Sequence, residues 1–130
     1  MMDILEALSA NRGSLFAGRG AETQKICEAE RNIRTVFAQD YRQVLRKYGI
    51  IAYDGHELTG ITDNPNLSVV HSTLRQRQLD PRIPSSWYVI EETGMDGIIV
   101  WQSPGGTIYE SIPGAEPEQI ASNLGAFLGL

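Results

Sequence analysis

Cysteine is almost missing from this chain of 130 residues. Cys27 stands alone, so no internal disulfide can form and nothing calls for an oxidising compartment. Proline does not occur before Pro65, which leaves the first half of the chain free to build helices. No apolar run approaches the roughly 20 residues that a membrane helix needs. The first residues include Asp3 and Glu6, where an export signal would carry lysines and then an apolar stretch. Basic residues stop after Arg82. These absences exclude a disulfide scaffold, a membrane-spanning chain and a basic nucleic-acid clamp. The expectation is one cytoplasmic domain over residues 1–130, with residues 1–20 as an N-terminal helix and loop and residues 21–130 as the core. A chain of this size can bury roughly two thirds of its unfolded surface without a staple.

What is present is unevenly placed. Residues 1–80 hold ten Lys/Arg against ten Asp/Glu and are neutral. Residues 81–130 hold one base, Arg82, against Glu91, Glu92, Asp96, Glu110, Glu116 and Glu118, so the whole net charge of −5 lies there. Such a segment repels nucleic-acid backbone and attracts a basic protein. A negative balance also keeps a protein soluble with no partner at all.

Apolar spacing predicts a helix over Asp3–Ser9, a loop over Gly13–Gly20 and a second helix from Ala21 to about Ile33, with Ile26, Ala29 and Ile33 on one face. A third helix runs from Gln39 to Tyr48, its stripe formed by Tyr41, Val44, Leu45 and Tyr48, with Gly49 as a left-handed cap. Ile50–Tyr53 and Glu57–Ile61 read as short strands around the Asp54-Gly55 turn. Val69 and Val70 are β-branched, and a helical turn follows over Ser72–Leu79. Trp87–Glu92, Gly97–Gln102 and Thr107–Ser111 form an antiparallel meander joined by short turns. Pro117 opens a last helix, with Ile120, Leu124, Phe127 and Leu128 on one face. The fold class is therefore α+β: N-terminal helices, a central antiparallel sheet of about four to six strands, and a C-terminal helix packed on one sheet face.

No catalytic set assembles. Cys27 lies inside a helix with Glu28 beside it, which suits a small packing residue better than a nucleophile. His56 and His71, even with Asp54 and Glu57, match no ligand spacing. Gly18-Arg19-Gly20 lacks both a third glycine and a preceding strand. Glu91 and Glu92 are neighbours on a strand, so regular pleating sends them to opposite faces, Glu91 with Trp87 and Val89, Glu92 with Tyr88 and Ile90. The expectation is a protein without enzymatic activity, metal or cofactor. What remains is recognition by aromatics and acids, with one of the two tryptophans in the core.

The order of these residues resembles the SUKH superfamily. Glu30, Ile33, Phe37, Asp40, Tyr41, Val44, Leu45, Tyr48 and Gly49 are similar to its opening signature. Glu57-Leu58-x-Gly60-Ile61 is similar to its glutamate-leucine-x-glycine strand. Val69-Val70-x-x-Thr73 with Arg77 (or Arg75) resembles its valine-valine, threonine, arginine segment. Residues 87–112, with Trp101 and Ile108-Tyr109, resemble its central sheet. Ala121-Ser122-x-Leu124-x-x-Phe127-Leu128 resembles its final helix. Arg34 and Ala38 stand where the family has glycine and proline, which implies a longer helix or a strained turn at the first and a looser helix start at the second.

The resemblance implies a non-catalytic domain of a family that includes fungal cell-wall-assembly regulators and bacterial immunity proteins. The latter bind a cognate toxin, often a nuclease, in the producer's cytoplasm. With the late-chain acid excess, the expected function is therefore an immunity protein that occludes a basic toxin. Trp87, Glu91, Glu92, Asp96, Tyr109 and Glu110 are the candidate contacts on an open sheet face. The expected partner is that toxin protein, with no nucleic acid or membrane bound directly, and the chain is a monomer or weak homodimer. An intracellular adaptor of the same fold, or a small hydrolase or ligand-binding domain using His56 or His71, are the alternatives.

Overall fold

The computed structural model describes residues 3–130. Five helices and seven strands occur in the order α1 (Ile4–Ala10), β1 (Leu15–Ala17), α2 (Thr23–Ile33), α3 (Gln39–Tyr48), β2 (Ile51–Tyr53), β3 (His56–Glu57), α4 (Val69–Leu79), β4 (Tyr88–Glu92), β5 (Ile99–Gln102), β6 (Ile108–Ser111), β7 (Glu118–Ala121) and α5 (Leu124–Leu128). The α+β class is as the sequence predicts. The strands divide into two antiparallel sheets, β1-β2-β3 and β4-β5-β6-β7.

The inner face of the larger sheet carries Tyr88, Ile90, Val100 and Ile108 and packs on the helices; Val89, Ile99, Trp101 and Ile83 form a second small core on the outer face. The free edge of β4 is covered rather than open. Thr73 Oγ1 on α4 accepts from Val89 N at 3.0 Å, Thr59 Oγ1 donates to Val89 O at 2.7 Å, and Thr59 N donates to Ile90 O at 2.9 Å.

Several elements differ from the sequence pattern. Residues 118–121 form β7 instead of the first turn of a helix. Asn123 resets the chain, its Oδ1 accepting from Ala126 N at 2.8 Å, so only Leu124–Leu128 is helical and Ile120 is left exposed. The Gly13–Gly20 segment contains β1 because Leu15–Ala17 pairs along β2. In addition, α4 starts at Val69, three residues before the helical turn expected over Ser72–Leu79, since Ser68 caps that helix by accepting from His71 N at 3.3 Å.

The residues of the family-like signature hold the frame. Glu30 accepts from Phe37 N at 2.9 Å and pairs with Arg42 at 2.6 Å. Asp40 accepts from Tyr41 N at 2.7 Å, Gln102 Nε2 at 2.9 Å and Leu124 N at 2.9 Å, joining α3, β5 and α5. Gln102 Oε1 accepts from the Tyr88 hydroxyl at 2.7 Å. That hydroxyl in turn accepts from Ala38 N at 2.8 Å, a donor that a proline at position 38 would lack. The buried Tyr41 hydroxyl donates to Thr59 O at 2.9 Å, and burial pushes its ionisation well above the ordinary tyrosine value. Arg77 donates to Ile33 O at 2.6 Å and Trp87 O at 3.0 Å, tying the end of α2 to the start of β4.

Arg34 is the strained turn that the missing glycine implies. It ends α2 in the left-handed region at φ 56°, while Thr35 N donates to Glu30 O at 3.2 Å. Gly60 is required for a different reason: a Cβ there would strike the carbonyl of Gly49, which accepts from Ile61 N at 3.0 Å. Accordingly, Gly60→Ala is expected to lower stability by about 3 kcal/mol through overpacking of backbone against backbone. Arg34→Gly is expected to raise it by about 0.5–1 kcal/mol by relieving left-handed strain. Urea midpoints of the two variants check both signs; an unchanged Gly60→Ala midpoint would contradict the close crossing.

Candidate docking surface

The six sequence candidates do not form one patch, and an inserted residue in β4 exchanges the faces of two of them, Glu91 and Glu92. β4 bulges between Val89 and Glu91, so Val89 pairs with Trp101 while Glu91 pairs with Val100. Ile90 is the extra residue, and pleat parity inverts after it. Glu91 therefore joins the inner face with Tyr88, and Glu92 joins the outer face with Val89. This is the reverse of the assignment that regular alternation predicts.

Glu91 is only 7% exposed. One carboxylate oxygen lies 3.0 Å from His56 Nδ1, and the other accepts from Glu57 N at 3.0 Å. The His56 ring packs on Phe127 of α5 with centroids 4.7 Å apart. Glu91 thus binds the β2–β3 hairpin to the larger sheet and has no oxygen left for a partner, which removes it from the open surface. Glu92, half-buried on the outer face, pairs with Arg75 and accepts from Ser72 Oγ and from Gln76 Nε2 at 3.2 Å. Glu110 stands opposite Glu118 across β6 and β7, in the same pleat row as Val100 and therefore on the face away from Tyr109. Trp87 and Tyr109 stack on the outer face, centroids 3.9 Å apart and rings 11° from parallel, each half-buried. Asp96 is exposed at the β4–β5 turn with φ 53°. Trp101 is the core tryptophan; its indole N–H donates to Ser111 Oγ at 2.9 Å.

The other candidate groups are accounted for locally. Cys27 is half-buried and accepts from Arg42 at 3.5 Å, and the Glu30 carboxylate holds the Arg42 guanidinium even more firmly protonated than usual. His71 Nδ1 lies 3.0 Å from Ser68 Oγ at the start of α4. Among the described residues, no three His, Cys, Asp or Glu side chains gather in a metal-binding group. No helix among them is long and apolar enough to cross a membrane.

The outer face also holds a feature that sequence spacing does not reveal. A cleft of about 890 Å³ runs between the end of α4 with its following loop and the β5–β6 side of the sheet. Ile99 and Trp101 lie among its lining, as do Leu79, 71% exposed, and Ile112, 41% exposed. Its polar walls are bound in place. Besides Glu92 with Arg75, Arg82 Nε donates to Asp80 at 3.1 Å and Arg82 Nη2 to Ala115 O at 3.0 Å; Arg82 holds the Asp80 carboxyl below its ordinary range. The only sequence signal for the cleft is an aliphatic residue beside a turn proline, Leu79 before Asp80-Pro81 and Ile112 before Pro113. Shape, apolar floor and satisfied charges suit a macromolecular contact.

The separation of buried from surface acids can be measured. Glu91→Ala strands the Glu57 N–H and should cost about 1–3 kcal/mol. Asp96→Asn keeps a residue that tolerates left-handed backbone and should change stability by less than about 0.5 kcal/mol. Equal effects in urea unfolding would contradict the assignment of roles.

A family model described as SUKH, SMI1-KNR4 cell-wall, matches residues 1–128. No curated protein matches the chain.

Proposed function

Because the chain belongs to the SUKH family, whose model spans residues 1–128, we propose that it is an immunity protein that binds a cognate basic toxin domain and neutralises it by covering the toxin's active site. One observation carries the reading beyond the family: what the late-chain acids are left to do. Glu91 and Glu92 are consumed by His56, Glu57, Arg75 and α4. Asp96, Glu110 and Glu118 have no ion-pair partner among the described residues, and Glu116 reaches Arg82 only at 3.9 Å. Their field is therefore available to a cationic partner, raising its encounter rate in a salt-sensitive way.

A nuclease is the toxin class this charge suits best, since an enzyme that holds a polyanion presents a basic active site. Neutralisation in the cytoplasm of the producing cell needs no chemistry from the bound protein. A tight, slowly dissociating contact over an active site is sufficient. Affinity would come from a few buried apolar anchors and the acids would set the on-rate.

The test is co-expression with whichever product of the flanking genes arrests growth when expressed alone. The account expects restored growth, a stable complex on size exclusion, and an association rate that falls about tenfold or more between low and physiological salt. Continued killing with no complex would overturn it and leave a scaffold for some cellular partner.

A further inference from the structure

We infer that the outer-face cleft is the anchor point of the partner, receiving an apolar side chain carried on a Lys/Arg-rich segment; this rests on the toxin-binding reading and assigns its surface. Three of the chain's exposed large apolar residues cluster here. Leu79 and Ile112 line the cleft, and Met95 sits in the turn whose Gly94 and Gly97 line it too. Nothing in the described fold covers Leu79, which stands exposed beside the buried cluster of Ile99 and Trp101. Exposed aliphatics around a concave floor, rimmed by polar groups, are the pattern of a contact surface rather than of a solvated one.

The site is also built before any partner arrives. The α4 wall is pinned through Glu92 by Arg75, Ser72 and Gln76, and the loop wall is pinned by Arg82 on Asp80 and Ala115 O. A preformed groove loses little freedom on binding, so an anchor gains most of its burial as affinity.

Charge selects the occupant. The rim arginines are each matched to a carboxylate, so they offer no free positive charge to an acidic segment. Asp96, at the glycine turn on one side, and Glu116, near Arg82 on the other, are exposed and loosely held or unpaired. Cationic groups flanking an apolar anchor meet both. A second copy of the chain does not fit as well. A two-fold pairing over the cleft would bring these acids near their own counterparts, in a protein of net charge −5.

Two probes test this. The first is a growth-arresting toxin encoded by a flanking gene, identified by expressing each flanking product alone; the second is a synthetic amphipathic Leu/Lys helix peptide, with a Leu/Glu peptide of the same pattern as control. Variants are Leu79→Asp and Ile112→Asp in the cleft and Ile120→Asp on β7, each first shown to melt like the parent chain. The expected result is a tenfold or greater loss of toxin affinity for the two cleft variants and less than a twofold change for Ile120→Asp. Micromolar binding of the Leu/Lys peptide, read by tryptophan emission, should disappear in Leu79→Asp, and the Leu/Glu peptide should not bind. Toxin bound equally by the parent and both cleft variants overturns the assignment of the surface and leaves the immunity reading standing. A toxin that the parent does not bind, with the peptide results as expected, removes the immunity reading and keeps the cleft as a site for cationic amphipathic segments. Peptide binding unaffected by Leu79→Asp, or absent from the parent, overturns the inference itself.

Discussion

Asp40 is the point through which the larger sheet and two helices, α3 and α5, are held in register. One carboxylate takes the backbone N–H of Tyr41 and the side-chain amide of Gln102 on one oxygen and the first N–H of α5 on the other. Gln102 extends the link to Tyr88, and Tyr88 returns it to the start of α3 through Ala38 N. The loop is closed, and the fully buried Gln102 has both ends of its amide satisfied, its nitrogen also donating to Gly106 O at 3.0 Å. A network of this kind stabilises only while complete, because each member left alone in an apolar interior costs more than its bond contributes. The polar atoms of these signature residues are thus engaged within the fold itself.

With the inner face committed to that construction, the proposed recognition falls to the outer face and the sheet margin. The bulge at Ile90 decides which acid goes where. By inverting the pleat it sends Glu91 inward to serve the His56 hairpin and places Glu92 at the cleft wall. The ordinary pleat of β6 separates the aromatics from the free acids as well. Trp87 and Tyr109 stack beside the outer core, and Glu110 faces Glu118 on the other side of the sheet. Two like charges directly opposite on neighbouring strands weaken the pairing slightly and also discourage β7 from accepting a further strand.

The elements most legible in the sequence were those whose period and caps agree. The stripes of α2 and α3, with Gly49 ending the latter, and the strands around the glycine turns follow from local chemistry alone. Elements fixed by distant contacts were not legible. Ile120 fits a helical face with Leu124 and Leu128, but Asn123 caps a new helix between them and leaves β7 to pair with β6. β1 exists because β2 lies beside it, and α4 starts at two β-branched valines because Ser68 caps it. At the site, the aromatic pair and Asp96 could be read as surface features. The fate of Glu91 depended on a bulge that alternation does not announce, and the cleft depended on Leu79 and Ile112, which are remote in sequence and meet only in the fold.

The central claim is that this protein acts by covering a partner with its outer sheet face. Amide hydrogen exchange on the complex with a partner captured from the products of the flanking genes reads that face directly. Slowed exchange in the turns at 93–98 and 112–116, with α2 and α3 unchanged from the free protein, is the predicted footprint. Protection centred on α2 and α3, with those turns exchanging as in the free chain, would contradict it.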